Sequence, residues 1–178
     1  MEKRKLSIFD FDGTLILTPI GSPENKQTWA DYYGKPWLYR GWWGREESLD
    51  TDVWDMPVVK EVFDDYQKEV KNPNTVMVLL TGRLVKQGDL VRQIVNDRGY
   101  HFNHYLFNTG TETLRNKITH ILNLLTKYPS VREIEMWDDR PAHFEKFQEL
   151  GDRLVESGRI DSFYLNKVKS DQWDNFVK

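Results

Sequence analysis

Short runs of apolar residues alternate along the chain with longer segments in which apolar residues recur at helical spacing. Five runs are typical of buried strands, and they cover residues 6–11, 75–81, 104–108, 133–137 and 161–165. Four segments between or after these runs place an apolar residue at every third or fourth position, as helices that cover a sheet do. They begin after Pro57, near Leu90, near Thr113 and at Pro141.

This alternation of strands and helices predicts an α/β fold. We expect a Rossmann-like three-layer sandwich with a mainly parallel five-stranded sheet and right-handed crossovers, in a single domain over residues 1–178. Residues 18–57 interrupt the alternation with several prolines and glycines and with five of the seven tryptophans. Because so long a connection in a compact domain usually has a function, we interpret 18–57 as a small, cap-like insert after the first strand.

Composition narrows the class of protein. Hydrophobic residues make up 39% of the chain and charged residues 30%, which is typical of a soluble globular protein without a membrane span. The basic start is soon interrupted by acids, unlike a secretory signal, and the absence of cysteine excludes disulfides and cysteine-based metal sites. We therefore expect a cytoplasmic protein, or a host-cytoplasmic one if it is viral. A net charge of −3 argues against a globally basic nucleic-acid binder but permits a local basic groove.

Acidic residues follow two of the predicted strands. Asp10 and Asp12 end the first strand. Burying two carboxylates so close together is energetically costly, because each loses its hydration and the two charges repel each other. The carboxyl ends of parallel strands meet at one edge of a sheet. The other strand ends and the helix near residue 113 add Thr81, Arg83, Asp138, Asp139 and Lys117. A hard divalent cation, Mg²⁺ above all, would neutralise such acids together with water and a substrate phosphate.

Four short motifs at these positions resemble those of the haloacid dehalogenase (HAD) superfamily of phosphotransferases. They are DFDGT at 10–14, LLTGR at 79–83, TLRNK at 113–117 and WDDRP at 137–141. The resemblance implies that Asp10 is a nucleophile that forms an aspartyl-phosphate, and that Asp12 is the general acid/base, with its backbone carbonyl on the metal. It also implies roles for four further residues. Thr81 and Lys117 would hold phosphoryl oxygens, with Arg115 a nearby rival to the lysine, and Asp138 and Asp139 would complete the Mg²⁺ site.

Further motifs suggest a substrate. Arg83 and Arg140, in TGR and DDR, would lie beside the phosphate, where an arginine fork suits its oxygens, as in the polynucleotide phosphatases of the superfamily. GWW at 41–43 and DDRPAHF at 138–144 are similar to the HAD domain of Swiss-army-knife RNA-repair-like proteins. These resemblances imply a phosphatase that acts on the terminal phosphates of RNA or DNA. His143, in the second motif, either orients Asp139 or packs in the core, and we favour packing.

The tryptophan-rich insert has two interpretations. Trp42 and Trp43 are candidates for stacking on bases, with Arg40 and Arg45 as contacts to backbone phosphates. Alternatively, the tryptophans pack the insert onto the core. Two other functions stay open: a small-molecule phosphatase such as a 5′-nucleotidase, and a nucleic-acid-binding module without catalytic activity. The carboxylates favour an enzyme, because a binding module has no need of them.

Overall fold

Five strands form the centre of the fold in a computed structural model that describes residues 2–169. They are β1 (Lys5–Phe9), β2 (Thr75–Leu84), β3 (His104–Asn108), β4 (Glu133–Asp138) and β5 (Ser162–Lys167). The sheet order is β3-β2-β1-β4-β5, and every neighbouring pair is parallel. The predicted Rossmann-like α/β fold with a parallel five-stranded sheet is thus confirmed. The predicted domain range 1–178 extends beyond the described residues at both ends.

Helices cover both faces of this sheet. They are α1 (Pro23–Tyr33), α2 (Lys60–Glu69), α3 (Gly88–Asp97), α4 (Thr113–Lys127) and α5 (Pro141–Glu156). Alternate residues of β1 point to opposite faces, so Leu6 and Ile8 join one apolar core with α4 and α5. Phe9 joins the other core with α2, α3 and the insert. Within the described part of the chain, no helix has the length and apolar character needed to cross a membrane.

The central strand β1 ends before both of its neighbours. Phe9, its last residue, pairs with Leu79 of β2 and with Trp137 of β4. The strand β2 runs three residues further than the sequence predicted, because after an irregularity it resumes pairing with β3 at Leu84. The Thr-Gly-Arg motif therefore lies within a strand. Residues that follow β1 are flanked on both sides by polar residues of β2 and β4.

The segment 18–57 leaves and re-enters the domain at one place. The N–H of Leu17 donates to the carbonyl of Pro57 (2.8 Å), and the N–H of Val59 donates to that of Leu15 (3.0 Å). Between these ends lies α1, which the sequence did not predict, because it buries only Trp29 and Ala30 and so has no continuous apolar stripe. The two ends of the segment lie side by side, and its interpretation as a cap-like insert stays a prediction.

Candidate active site

Asp10 and Asp12 lie in a tight turn that directly follows β1. The N–H of Asp10 still donates to the carbonyl of Trp137 in β4 (2.9 Å), so the first aspartate remains fixed to the sheet. Gly13 then adopts a φ of 68°, a left-handed conformation that other residues rarely adopt. The turn that results separates the surroundings of the two carboxylates, although the residues are only two positions apart.

Lys117 forms a bridge between two acidic groups. It lies one turn into α4, is buried, and donates to Asp10 Oδ1 (2.8 Å) and to Asp138 Oδ2 (2.6 Å). Burial alone would lower the pKa of this ammonium, but the two carboxylates outweigh burial and raise the pKa above its ordinary value. The rival cation Arg115 is exposed instead. The structure therefore brings together the lysine and the first aspartate that the sequence paired.

A buried cluster is formed by Asp10, Asp138 and Asp139. One carboxylate oxygen from each residue lies within 4.8 Å of one oxygen from each of the other two. Burial, helped by the repulsion of Asp138, raises the pKa of Asp10 to about 6, although the attraction of Lys117 opposes this rise. Burial and the charges of the other two acids raise that of Asp139 to about 9. When all three carboxyls are ionised, one ammonium cannot neutralise them, and the cluster has an excess of negative charge. Three carboxylates beside an open cleft suit a hard divalent cation such as Mg²⁺.

The two aspartates of the Asp-Asp pair have different surroundings. Asp138 is fully buried, and its two oxygens accept hydrogen bonds from Lys117 (2.6 Å) and from the N–H of Arg140 (2.9 Å). Asp139 lines the cleft together with Asp10. Asp139 is therefore the better placed of the two to contact a cation directly, whereas Asp138 orients Lys117.

Asp12 has a separate set of partners. Its Oδ1 accepts hydrogen bonds from Thr18 Oγ1 (2.7 Å) and Arg83 Nη2 (2.7 Å), and its Oδ2 accepts one from Arg83 Nε (2.9 Å). The side chain keeps 18% exposure and lines the cleft. The side chain of Asp12 is not part of the acidic cluster. The predicted metal contact of its backbone carbonyl stays a prediction.

A cleft of about 610 Å³ opens over these groups. Asp10, Asp12 and Lys117 lie among its polar residues, whereas Ile20 and Trp43 of the insert contribute apolar surface. The cleft is also lined by Gly82, Arg83, Thr113, Asp139, Arg140 and Pro141. Its volume is within the range of small-molecule sites and suits one nucleotide rather than a long strand.

Thr81 and Gly82 fix the end of the site that β2 supplies. Thr81 is fully buried, and its hydroxyl oxygen accepts the N–H of Arg83 (3.1 Å), which leaves the hydroxyl proton for another acceptor. Its contact with a phosphoryl oxygen stays a prediction. Gly82 is required by packing, because a Cβ there would lie 2.7 Å from Thr113 Cγ2. The absence of that carbon lets β2 approach the start of α4.

Three residues predicted to contact the substrate bind or pack against other groups of the protein in this structure, and their substrate contacts stay predictions. Trp42 is 4% exposed and donates its indole N–H to the carbonyl of Pro19 (2.8 Å), so its ring packs the insert. The guanidinium of Arg45 lies over Tyr39 and pairs with Glu47 (2.8 Å), which neutralises its charge. Arg83 is buried and binds Asp12 rather than facing solvent as a free fork.

The other predicted contacts lie differently. Trp43 is 39% exposed at the wall of the cleft, and Arg140 is exposed at its edge. Arg40 is exposed but does not line the cleft. The roles of these three residues stay predictions.

Sequence reasoning missed three residues that shape the site and described a fourth correctly. Thr18 and Ser48 bond to Asp12 and Arg83, and Ile20 lines the cleft; no local motif marks any of them. His143 is buried, packs edge-on against Phe147, and has no hydrogen bond from Nδ1 within the described residues. These contacts agree with the interpretation that His143 packs in the core. Burial lowers the pKa of its imidazole.

Comparisons with known proteins identify the family and the fold. A family model described as "HAD domain family 1 in Swiss Army Knife RNA repair proteins" matches residues 35–173. The match begins within the insert, so Asp10 and Asp12 precede it. A haloacid dehalogenase-like family hydrolase from Streptococcus pneumoniae has a similar fold, with a TM-score of 0.53 at 13% identity over 92% of this chain and 94% of that one. At this identity the likeness concerns the fold alone.

Proposed function

Because this chain belongs to HAD domain family 1 of Swiss Army Knife RNA repair proteins, we propose that it is a Mg²⁺-dependent phosphatase acting on the terminal phosphates of nucleic acids. The chain has a HAD-family hydrolase fold and a buried acidic cluster suited to a metal. The observation that carries the proposal is the contact of Lys117 with Asp10 at the base of an open cleft.

The first step transfers the phosphoryl group to Asp10. A carboxylate oxygen attacks phosphorus, the bond from phosphorus to the leaving oxygen breaks, and Asp12 gives its proton to that oxygen. Lys117 offsets the charge of the phosphoryl oxygens, since a carboxylate and a phosphate dianion otherwise repel each other. A magnesium ion held by Asp10 and Asp139 would supply further neutralisation of the phosphoryl group.

The second step restores the enzyme. Asp12, now a carboxylate, accepts a proton from water, whose oxygen attacks the phosphorus of the aspartyl-phosphate. The bond between phosphorus and Asp10 breaks, which regenerates both carboxyl groups and releases inorganic phosphate. Each aspartate therefore needs its own surroundings. The nucleophile contacts Lys117, and the proton carrier is oriented by Arg83 and Thr18.

Three features support a nucleic-acid end as the substrate. The description of the family names RNA repair proteins. The cleft wall has an aromatic ring, that of Trp43, on which a terminal base could stack. The exposed guanidinium of Arg140 at the cleft edge suits a neighbouring phosphate. A cleft of about 610 Å³ also suits a free mononucleotide, so a nucleotidase is the second candidate function.

The experiment compares phosphate release from oligonucleotides with a 3′-phosphate, oligonucleotides with a 5′-phosphate, and mononucleotides, each with Mg²⁺ and with EDTA. We expect Mg²⁺-dependent release that is most efficient, by kcat/KM, on one of the oligonucleotides. Higher efficiency on mononucleotides would replace the end-processing proposal by the nucleotidase. Binding of oligonucleotides without any phosphate release would show a binding module instead.

A further inference from the structure

We propose that Arg83 is a positioning residue that makes the orientation of Asp12 depend on residues 43–48 of the insert. The inference rests on the proposed phosphatase function, in which Asp12 moves protons in both steps. It replaces the prediction that Arg83 binds the substrate phosphate directly.

Arg83 orients the Asp12 carboxylate through two of its nitrogens. Its Nη2 donates to Oδ1 (2.7 Å), and its Nε donates to Oδ2 (2.9 Å) with a longer contact to Oδ1 (3.2 Å). Such a two-point contact fixes the plane of a carboxylate as well as its distance. Thr18, at the start of the insert, adds a third hydrogen bond to Oδ1 (2.7 Å). The carboxylate therefore has little freedom to rotate about its Cβ–Cγ bond.

The third nitrogen of Arg83 binds the insert. Its Nη1 donates to the carbonyl of Trp43 (2.7 Å) and to Ser48 Oγ (2.6 Å). Gln87, which is fully buried, donates to the same Trp43 carbonyl (3.0 Å) and to that of Arg45 (3.2 Å). The hydroxyl of Ser48 in turn donates to the Arg45 carbonyl (2.6 Å). Residues 43–48 thus bind the guanidinium at Nη1, whereas Asp12 binds it at Nε and Nη2.

These contacts use most of the donors of Arg83. An arginine has five N–H groups, and here Nε uses one, Nη2 one and Nη1 two, which leaves a single N–H. The side chain is 1% exposed. One remaining N–H cannot form the two parallel bonds by which arginine recognises phosphate. Arg140, which is exposed at the edge of the cleft, is the arginine suited to that task.

The first test is Arg83→Lys, assayed with p-nitrophenyl phosphate by rapid mixing and acid quench. Lysine keeps the charge but cannot contact Asp12 at two points while it binds both partners in the insert. We expect kcat to fall at least ten-fold and KM to stay unchanged or fall. Phosphoenzyme should accumulate, and its formation should give a burst of p-nitrophenol. A good leaving group needs little protonation, so the loss appears in the water step. Arg132→Lys, at an exposed pair with Asp161, is the matched control and should behave as the parent.

Arg140→Gln serves in the same assay as the reference for a variant that loses a phosphate contact. We expect a higher KM without a burst for that variant. If Arg83→Lys gives the same pattern, a raised KM with no accumulated phosphoenzyme, then Arg83 binds substrate and the proposal is overturned. Unchanged kinetics in Arg83→Lys would overturn it equally.

A second test does not need catalysis. Ser48→Ala removes an acceptor of Arg83 in the insert, and Asp12→Asn removes the charge on the other side. If Arg83 couples them, the thermal midpoint of the double variant falls by less than the sum of the single losses. Additive losses would overturn the coupling, with Ser157→Ala in place of Ser48→Ala as the additive control. Non-additive losses in a protein that releases no phosphate would reject the phosphatase and leave the coupling standing.

Discussion

Lys117 donates a 2.8 Å hydrogen bond to Asp10, although 107 positions separate the two residues in the chain. The contact exists because β2 approaches the start of α4 at Gly82 and Thr113, and the second turn of α4 carries Lys117 to the acidic cluster. The same ammonium reaches Asp138, so one cation fixes the orientation of two carboxylates. The site is thus held in place before any substrate arrives.

Asp10→Asn tests the nucleophile. A neutral amide cannot form an aspartyl-phosphate, so phosphate release should fall to the background of a chromogenic phosphate ester assay. Asp64→Asn, which alters an exposed pair with Lys60, is the control and should keep full activity. More than a few per cent of residual turnover in Asp10→Asn would mean that another group attacks phosphorus.

Lys117→Met tests the electrostatics of the cluster without reference to catalysis. Removing the cation leaves Asp10 and Asp138 buried without their partner, which costs on the order of 3–5 kcal/mol of unfolding free energy near pH 8. The loss should be smaller at pH 5, where the carboxyls can take up protons instead. Urea unfolding at both pH values measures it, with the exposed Lys146→Met as the control. An equal loss at both pH values would contradict the electrostatic account.

The raised pKa of Asp139, about 9, predicts how stability changes with pH. Between pH 7 and 9 the folded protein retains a proton that the unfolded chain has lost, so the free energy of unfolding falls as pH rises. We expect the thermal midpoint in EDTA to drop over this range, and to drop less in Asp139→Asn. Mg²⁺ requires the ionised carboxylate, so its stabilising effect should be larger at pH 9 than at pH 7. Equal slopes in the parent and the variant would refute the assignment.

Trp42 and Trp43 give a matched pair of substitutions. Trp43→Ala should raise KM for a phosphorylated oligonucleotide roughly ten-fold or more, the equivalent of about 1–3 kcal/mol of lost base stacking, and should leave a small chromogenic ester unaffected. Trp42→Ala should instead destabilise the protein by about 3–5 kcal/mol, because this ring is buried. The two measurements are steady-state kinetics and thermal unfolding. If Trp43→Ala loses activity on both substrates and is also less stable, the ring of Trp43 is structural.

The fold was predictable because its signals are local. Apolar runs bounded by turns located all five strands, and the DFDGT and WDDRP motifs placed acids at the ends of β1 and β4. The family resemblance is confirmed by the match over residues 35–173. Parallel pairing then brings these ends together without further information.

The partners of individual side chains were not predictable in the same way. Whether Arg83 faces a phosphate or Asp12 depends on Ser48 and Trp43, which approach it from 35 and 40 positions away in the chain. Nor does the sequence distinguish Trp42 from Trp43. Adjacent rings in an irregular segment point in directions that only the tertiary packing decides, and here one is buried and the other exposed.

Two backbone carbonyls of the insert, those of Trp43 and Arg45, accept hydrogen bonds from Arg83 and Gln87 of the domain. A carbonyl is present whatever side chain its residue has. These two contacts of the segment are thereby independent of the side chain that residue 43 presents to the cleft. On the proposed function, in which Trp43 contacts the substrate, single substitutions at residue 43 would therefore change substrate preference while these carbonyl contacts remain.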